Sequence, residues 1–322
     1  MSSTAEVATS DLPSGDPIPS SAAPPTSSPK PMPIKALVAA APSNIDAFLA
    51  QLQRCLSTPT GIDTTLLFLC YTSRLSSALL EHLTGPTIRR SAEKLLALAA
   101  TLPPSTTILF SSKVLPSPSA AVLLLVSKRL KAFSVLLSDV RTFFRLWGLL
   151  GLYFWARSLI LRLRTARQNN ELAKVDRVET AIAVTQLVAC VLFQTLENGA
   201  FLAQKGVLGW KPATIGKAAM WSARFWGCHV GIDLFRLLYE NYKRGQRSVK
   251  EKMGDKSVSV YEREEAEWST EWRKSLIRNM SWFPLTIHWS LEQGLVSETT
   301  IGALATIPGI IQMRDLWRKT AE

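Results

Sequence analysis

The residues able to do bond chemistry are few and scattered. His82, His229 and His288 stand far apart, and no two share a metal-ligand spacing. Cys55, Cys70, Cys190 and Cys228 form no C-x-x-C pair, so neither a disulfide scaffold nor a structural zinc site is expected. No G-x-S-x-G occurs, which removes the nucleophile turn of many hydrolases. Gly209 to Ala218 imitates a phosphate loop and ends in Gly216-Lys217. Six residues separate its glycines where four are needed, and Ala218 replaces the hydroxyl that would meet magnesium. No paired carboxylates occupy an apolar stretch. The sequence therefore predicts no enzyme, and no catalytic, cofactor or metal residues.

What remains is the chemistry of charged and apolar surfaces. Val126, Leu130, Phe133, Leu137, Val140 and Phe144 recur at steps of three and four. Ser127, Lys131, Ser134, Ser138, Arg141 and Arg145 follow the same steps one residue on. A helix over 121–147 thus carries an apolar stripe, with a polar stripe about 100° away. Lys128 widens the polar face, and Arg129 falls on the apolar side, where its head must snorkel. Two uses fit: packing against the protein's own core, or lying in a membrane surface with bases toward anionic head groups. The membrane use selects Lys128, Arg129, Lys131, Phe133, Leu137, Val140, Arg141, Phe144 and Arg145. A second set, Ala219, Ala223, Gly227 and Gly231, places four small residues on one helix face, the spacing that lets helices approach closely in lipid.

The distribution of charge supports a phosphate-bearing partner. The 322 residues carry a net charge of +12. Between Arg89 and Arg167 stand thirteen bases and two acids, so the rest of the chain is nearly neutral. Charged residues are 19% of the total and the mean hydropathy is +0.12, which argues against a highly charged nucleic-acid binder. An anionic phospholipid membrane is the expected partner, and nucleic acid is not.

The elements expected to position these residues are helical. Residues 1–42 hold nine of the 18 prolines and no aromatic residue, and read as a disordered Pro/Ser tail. Ser43 should cap a first helix from Asn44 to Cys55 or Leu56, and Asp63 a second that ends at Gly85-Pro86. A short helix over Ile88–Thr101 and a loop over 103–119 follow. The organised region is expected over 43–318: N-terminal helices at 43–102, a basic amphipathic region at 121–167, membrane-associated helices at 178–239, a charged connection at 240–275 and a C-terminal membrane segment at 276–318. Leu146 to Ala156 is uncharged but too short to cross a bilayer, which needs about 20 residues. Crossings are expected near 180–203 and 296–313. Arg224 requires a partner there, and Glu197 is one candidate. Neither a signal peptide at the first residues nor a targeting tripeptide at the last is expected.

Four pieces carry a family resemblance: Ser57-Thr58-Pro59-Thr60-Gly61-Ile62-Asp63 continuing to Tyr71-Thr72-Ser73-Arg74-Leu75; Leu137-Ser138-Asp139-Val140-Arg141 running into Phe144-Arg145-Leu146-Trp147-Gly148; Leu196-Glu197-Asn198-Gly199-Ala200-Phe201-Leu202-Ala203; and Pro284-Leu285-Thr286-Ile287-His288-Trp289-Ser290. In this order they resemble the peroxin-11 proteins of the peroxisomal membrane, and the Pro/Ser tail is similar to the divergent fungal C-type branch. The resemblance implies an all-α, membrane-associated helical bundle with an amphipathic interfacial helix and a disordered tail. It also implies an integral peroxisomal membrane protein, termini in the cytosol, that elongates the organelle and promotes its fission. A second copy of the chain and the fission machinery are the partners implied. A metabolite channel, drawing on Gln186, Gln194, Glu197 and Arg224, and a soluble helical adaptor are the alternatives.

Overall fold

The computed structural model describes residues 34–101, 118–169, 176–246 and 257–321. These form eight helices: α1 Ile34–Cys55, α2 Pro59–Thr101, α3 Pro118–Arg145, α4 Gly148–Gln168, α5 Arg177–Gln204, α6 Pro212–Gln246, α7 Val258–Trp289 and α8 Glu298–Lys319. No strand occurs among the described residues. A boundary between two units falls at Phe48–Leu49, within α1.

Several helix limits differ from the sequence expectation. The first helix begins at Ile34, inside the segment read as tail, where Ala39-Ala40-Ala41 gives strong helix propensity; residues 1–33 lie outside the described residues. Thr58, not Asp63, caps α2: its Oγ1 accepts from the Gly61 N–H at 3.0 Å, and Pro59 fills the first helical position. Gly85-Pro86 does not end α2, which carries Pro86 inside to Thr101. The expected loop at 103–119 lies almost wholly outside the described residues. The charged connection and the segment interrupted by Pro284 are one helix from residue 258 on, α7, with Pro284 inside.

Each helix packs on the next through small or polar contacts. α2 lies between α3 and α8, α8 packs on α7, α7 on α6, α6 on α5, and α5 meets α3 and α4. Ser77 and Ser127 exchange hydrogen bonds, each hydroxyl donating to the other's carbonyl at 2.9 and 3.0 Å. Two turns on, the Cys70 thiol donates to the Ser134 carbonyl. Small side chains here let α2 and α3 approach closely. α8 meets α2 through Gly302 and Gly309, where an added Cβ would fall 2.8 Å from the Leu75 Cα and 3.2 Å from the Phe68 Cα. α5, α6 and α7 converge on Asp233, which accepts from Gln186 Nε2 at 3.1 Å, Asn279 Nδ2 at 2.7 Å and Arg236 Nε at 2.7 Å.

One apolar cluster joins Leu285, Ile301 and Ala305, flanked by Tyr71, Trp282 and Trp289. No Phe, Trp or Tyr among the described residues is buried. Soluble domains bury such side chains first. Here the interior holds Ser, Thr, Gln and Ala beside Leu67, Leu159, Ile182, Val230 and Leu237, while many Val, Leu and Phe face outward.

Asp176 caps α5, accepting from the Val178 and Glu179 N–H groups, and its second oxygen takes bonds from Lys243 Nζ and the Tyr239 hydroxyl. The Lys243 ammonium, then the capping amides, hold the Asp176 carboxyl down at about 2. Its folded value lies below its unfolded one, so its contribution is complete above the ordinary aspartate range and fades as pH falls through that range toward 2. Asp176→Asn should flatten the acid limb of the stability curve below pH 4 in detergent-held protein; an unchanged acid limb refutes this role. Gly302→Val should lower stability by at least about 1–3 kcal/mol, because the backbone of Leu75 cannot yield to the new Cβ. Thermal unfolding in detergent would read it, and an unchanged midpoint would contradict the close approach.

Candidate functional site

The nine residues selected for membrane contact divide into two groups. Lys128, Arg129 and Lys131 are exposed and form no ion pair with any described residue. Phe133 and Phe144 are exposed at 43% and 49%, beside Val122, Leu125, Val126, Leu136 and Phe143. The rest of the set points inward. Leu137 is buried and Val140 half-buried. Arg141 makes a bidentate pair with Asp63 of α2, at 2.8 and 3.3 Å. Arg145 makes another with Glu197 of α5, at 2.9 and 2.7 Å. Arg141 and Arg145 are therefore occupied by carboxylates within the chain. The reason is visible in the helix: Ser127 and Ser134 form a narrow, small-residue face that α2 can approach, so Val126, Phe133 and Phe144 of the apolar stripe are left outside while Leu137 at its edge is buried.

The turn from α3 to α4, at Leu146-Trp147, is held by one segment of α5. Asn198 Nδ2 donates to the Leu146 carbonyl at 3.2 Å, and Gln194 Nε2 donates to Asn198 Oδ1 at 2.7 Å. Gly148 leaves room for Gln194, whose Oε1 would lie 2.8 Å from a Cβ at that position. Gly199 leaves room in the same way for the Trp210 ring, 2.5 Å from its ideal Cβ. Next to the turn, Lys205 pairs with Asp139. Two separated pieces, Phe144 to Gly148 and Leu196 to Ala200, are thus one contact.

α4 extends the outer surface. Leu152, Trp155, Leu159 and Leu163, at steps of three and four, are its buried and half-buried row, on the helix that packs against α5. The opposite face is exposed: Leu149, Leu150, Tyr153 and Phe154 in its first half, then Ile160 and Leu161 among Arg157, Arg162, Arg164 and Arg167. α4 holds no acid, and none of these arginines pairs with a described carboxylate. Residue choice alone centred the site on α3; the lack of any Asp or Glu across α4 was the sequence signal for including it.

The small-residue stripe serves the chain itself. Ala223 is buried, a Cβ on Gly227 would lie 3.1 Å from Thr286 Oγ1, and one on Gly231 would lie 3.5 Å from the Phe283 ring, both on α7. Ala219 alone is exposed. Arg224 does not reach Glu197, which Arg145 occupies; its Nε donates to the Ser290 carbonyl at 3.3 Å.

Of the two expected crossings, α5 is long and apolar enough over Arg177–Gln204, with 22% of its apolar window buried. A core helix of a soluble protein would be mostly covered. The expected crossing at 296–313 is α8, which does not pass that test; it buries Ile301, Ala305 and Pro308 and lies against α2 at Gly302 and Gly309. Among the described residues no group of three His, Cys, Asp or Glu could hold a metal ion.

The family model for Peroxisomal biogenesis factor 11 (PEX11) matches residues 123–317, from α3 into α8. An uncharacterized protein of Schizosaccharomyces pombe is 27% identical over 125 residues, 38% of this chain and 53% of that protein. The chain thus spans about half the length of the curated relative it matches. No solved structure matches.

Glu197→Ala should leave Arg145 without its carboxylate and cost about 1–3 kcal/mol, while Glu197→Gln, which keeps an acceptor, should cost less. Limited proteolysis at Leu146-Trp147 in detergent should speed up in the same order. Equal cleavage of all three proteins would show that the pair does not hold the turn.

Proposed function

The chain belongs to the peroxisomal biogenesis factor 11 family, and from that membership and the outward apolar face of α3 and α4 we propose that it elongates the peroxisomal membrane. The observation that carries this reading is the seven free bases, Lys128, Arg129, Lys131, Arg157, Arg162, Arg164 and Arg167, set among exposed Val, Leu and Phe. Such a surface enters the head-group region to about 5–10 Å, its bases toward anionic lipid. Each base near that surface contributes on the order of 1 kcal/mol. Insertion into one leaflet expands it and favours a tubule, on which fission factors and further copies of the chain assemble. α5, at about 1.5 Å per residue, is long enough to cross the roughly 30 Å hydrocarbon layer and anchors the bundle. Termini on the cytosolic side would put the bases against the cytosolic leaflet, and we propose the fungal C-type branch for the chain on the strength of its Pro/Ser-rich first residues.

A soluble adaptor fits less well, because α3, α4 and α5 leave many large apolar side chains exposed, among them Val126, Phe133, Phe144, Leu150, Phe154 and Val188. A metabolite channel also has less support. Gln186 bonds Asp233, Gln194 bonds Asn198 and Glu197 is paired with Arg145, so these polar groups are taken up by helix contacts.

Full-length protein in liposomes containing anionic phospholipid should draw them into tubules visible by electron microscopy, less so at high salt. Changing the seven bases to Gln should abolish the tubules while leaving the helical content intact. Tubules that persist unchanged in the Gln variant would refute the electrostatic part. Tagged protein should co-localise with elongated peroxisomes, and a diffuse signal would count against the whole reading.

A further inference from the structure

Arg224 is a guanidinium without a counter-ion. Its Nε donates to the Ser290 carbonyl, its Nη2 lies 3.5 Å from Met220 Sδ, and its plane covers the Trp221 ring at 4.6 Å. No described carboxylate pairs with it. Every other buried or half-buried charge discussed above has an opposite charge: Arg141 has Asp63, Arg145 has Glu197, Arg236 has Asp233. Arginine cannot lose its proton, so in apolar surroundings it calls for an anion from outside the chain.

Arg224 stands at a groove of about 730 Å³ between α6 and α7. Gly227 and Gly231 line it and add no side chain, while Ile232, Phe235, Phe283 and Ile287 supply its apolar walls. No acid lines it, and Arg224 is its one charge. Its volume lies in the range of small-molecule sites, about 300–1,000 Å³. A second helix, about 10 Å across, would fill that space in under two turns, so the groove suits a narrower, flexible occupant.

We propose that this groove holds one anionic phospholipid, its phosphate on Arg224 and an acyl chain along Phe235, Phe283 and Ile287. Charge complementarity selects the anion, and the apolar lining selects the chain. The guanidinium offers two N–H donors in the fork that matches phosphate oxygens. The site is separate from the α3–α4 surface and does not depend on tubule formation.

The test uses the full chain purified in mild detergent and examined by native mass spectrometry with added lipid. Dioleoyl phosphatidylglycerol should be retained as one molecule per chain, at least tenfold more than dioleoyl phosphatidylcholine. Arg224→Gln should lose at least tenfold of that retention, and Arg224→Lys should keep part of it. Cys228 is exposed in the groove, so Cys228→Trp should expel the lipid with Arg224 still in place. Circular dichroism checks that each variant folds; if Arg224→Gln does not, Cys228→Trp and the wild-type lipid preference decide. Equal retention of both phospholipids, or retention unchanged in Cys228→Trp, overturns the proposal. So does preferential retention of oleate, which makes this a fatty-acid site, or a lipid-free dimer lost on Cys228→Trp, which makes it a contact between copies.

Discussion

The bidentate pair of Arg145 with Glu197 closes the bundle. α2, α8, α7, α6 and α5 each pack on a neighbour along extended faces, but α3 and α5 meet only at their C-terminal portions. There the contact is ionic, Arg145 with Glu197 and Lys205 with Asp139, and not apolar. In an apolar environment such a pair is strongly held in place, because neither partner can separate without stranding a charge. The turn into α4, and with it the direction of the basic arginine cluster, hangs on this closure.

The same economy runs through the interior. In the membrane setting we propose, helices gain little from burying leucine against leucine, since lipid is as apolar as the core. Close packing and satisfied polar groups decide instead. The Ser77–Ser127 exchange, the glycines of α8 against α2 and the three donors around Asp233 are the points that set helix positions. Large apolar and aromatic side chains are then free to face outward, and they do so on α3, α4, α5, α6 and α7.

Membership in the peroxisomal biogenesis factor 11 family gives this organisation a setting, since the matched region starts in α3 and holds every helix through α8. A membrane protein that reshapes its bilayer needs a surface that enters one leaflet and a frame that keeps that surface oriented. In the function we propose, α3 and α4 form the first. The α5 residues Gln194, Glu197 and Asn198 belong to the second, and their uncommon polarity within an apolar helix follows from that duty.

The sequence by itself determined the helical class, the amphipathic pattern of α3 and the family, because periodicity and order of motifs are properties of the chain alone. It also marked α5 as the apolar helix. It misled on helix ends, since Pro86 and Pro284 read as breaks yet lie inside helices, where packing on neighbours outweighs the lost backbone bond. Which stripe of α3 faces inward was a matter for the tertiary structure. A periodicity defines two faces but not their surroundings, and only the neighbours Asp63, Ser77 and Glu197 turn the arginine–serine face inside. The small residues of α6 were legible as a close-approach surface, but that their partner is α7 of the same chain followed from the fold. That Arg224 pairs with no carboxylate among the described residues also emerged only there, because pairing depends on neighbours brought together by the fold.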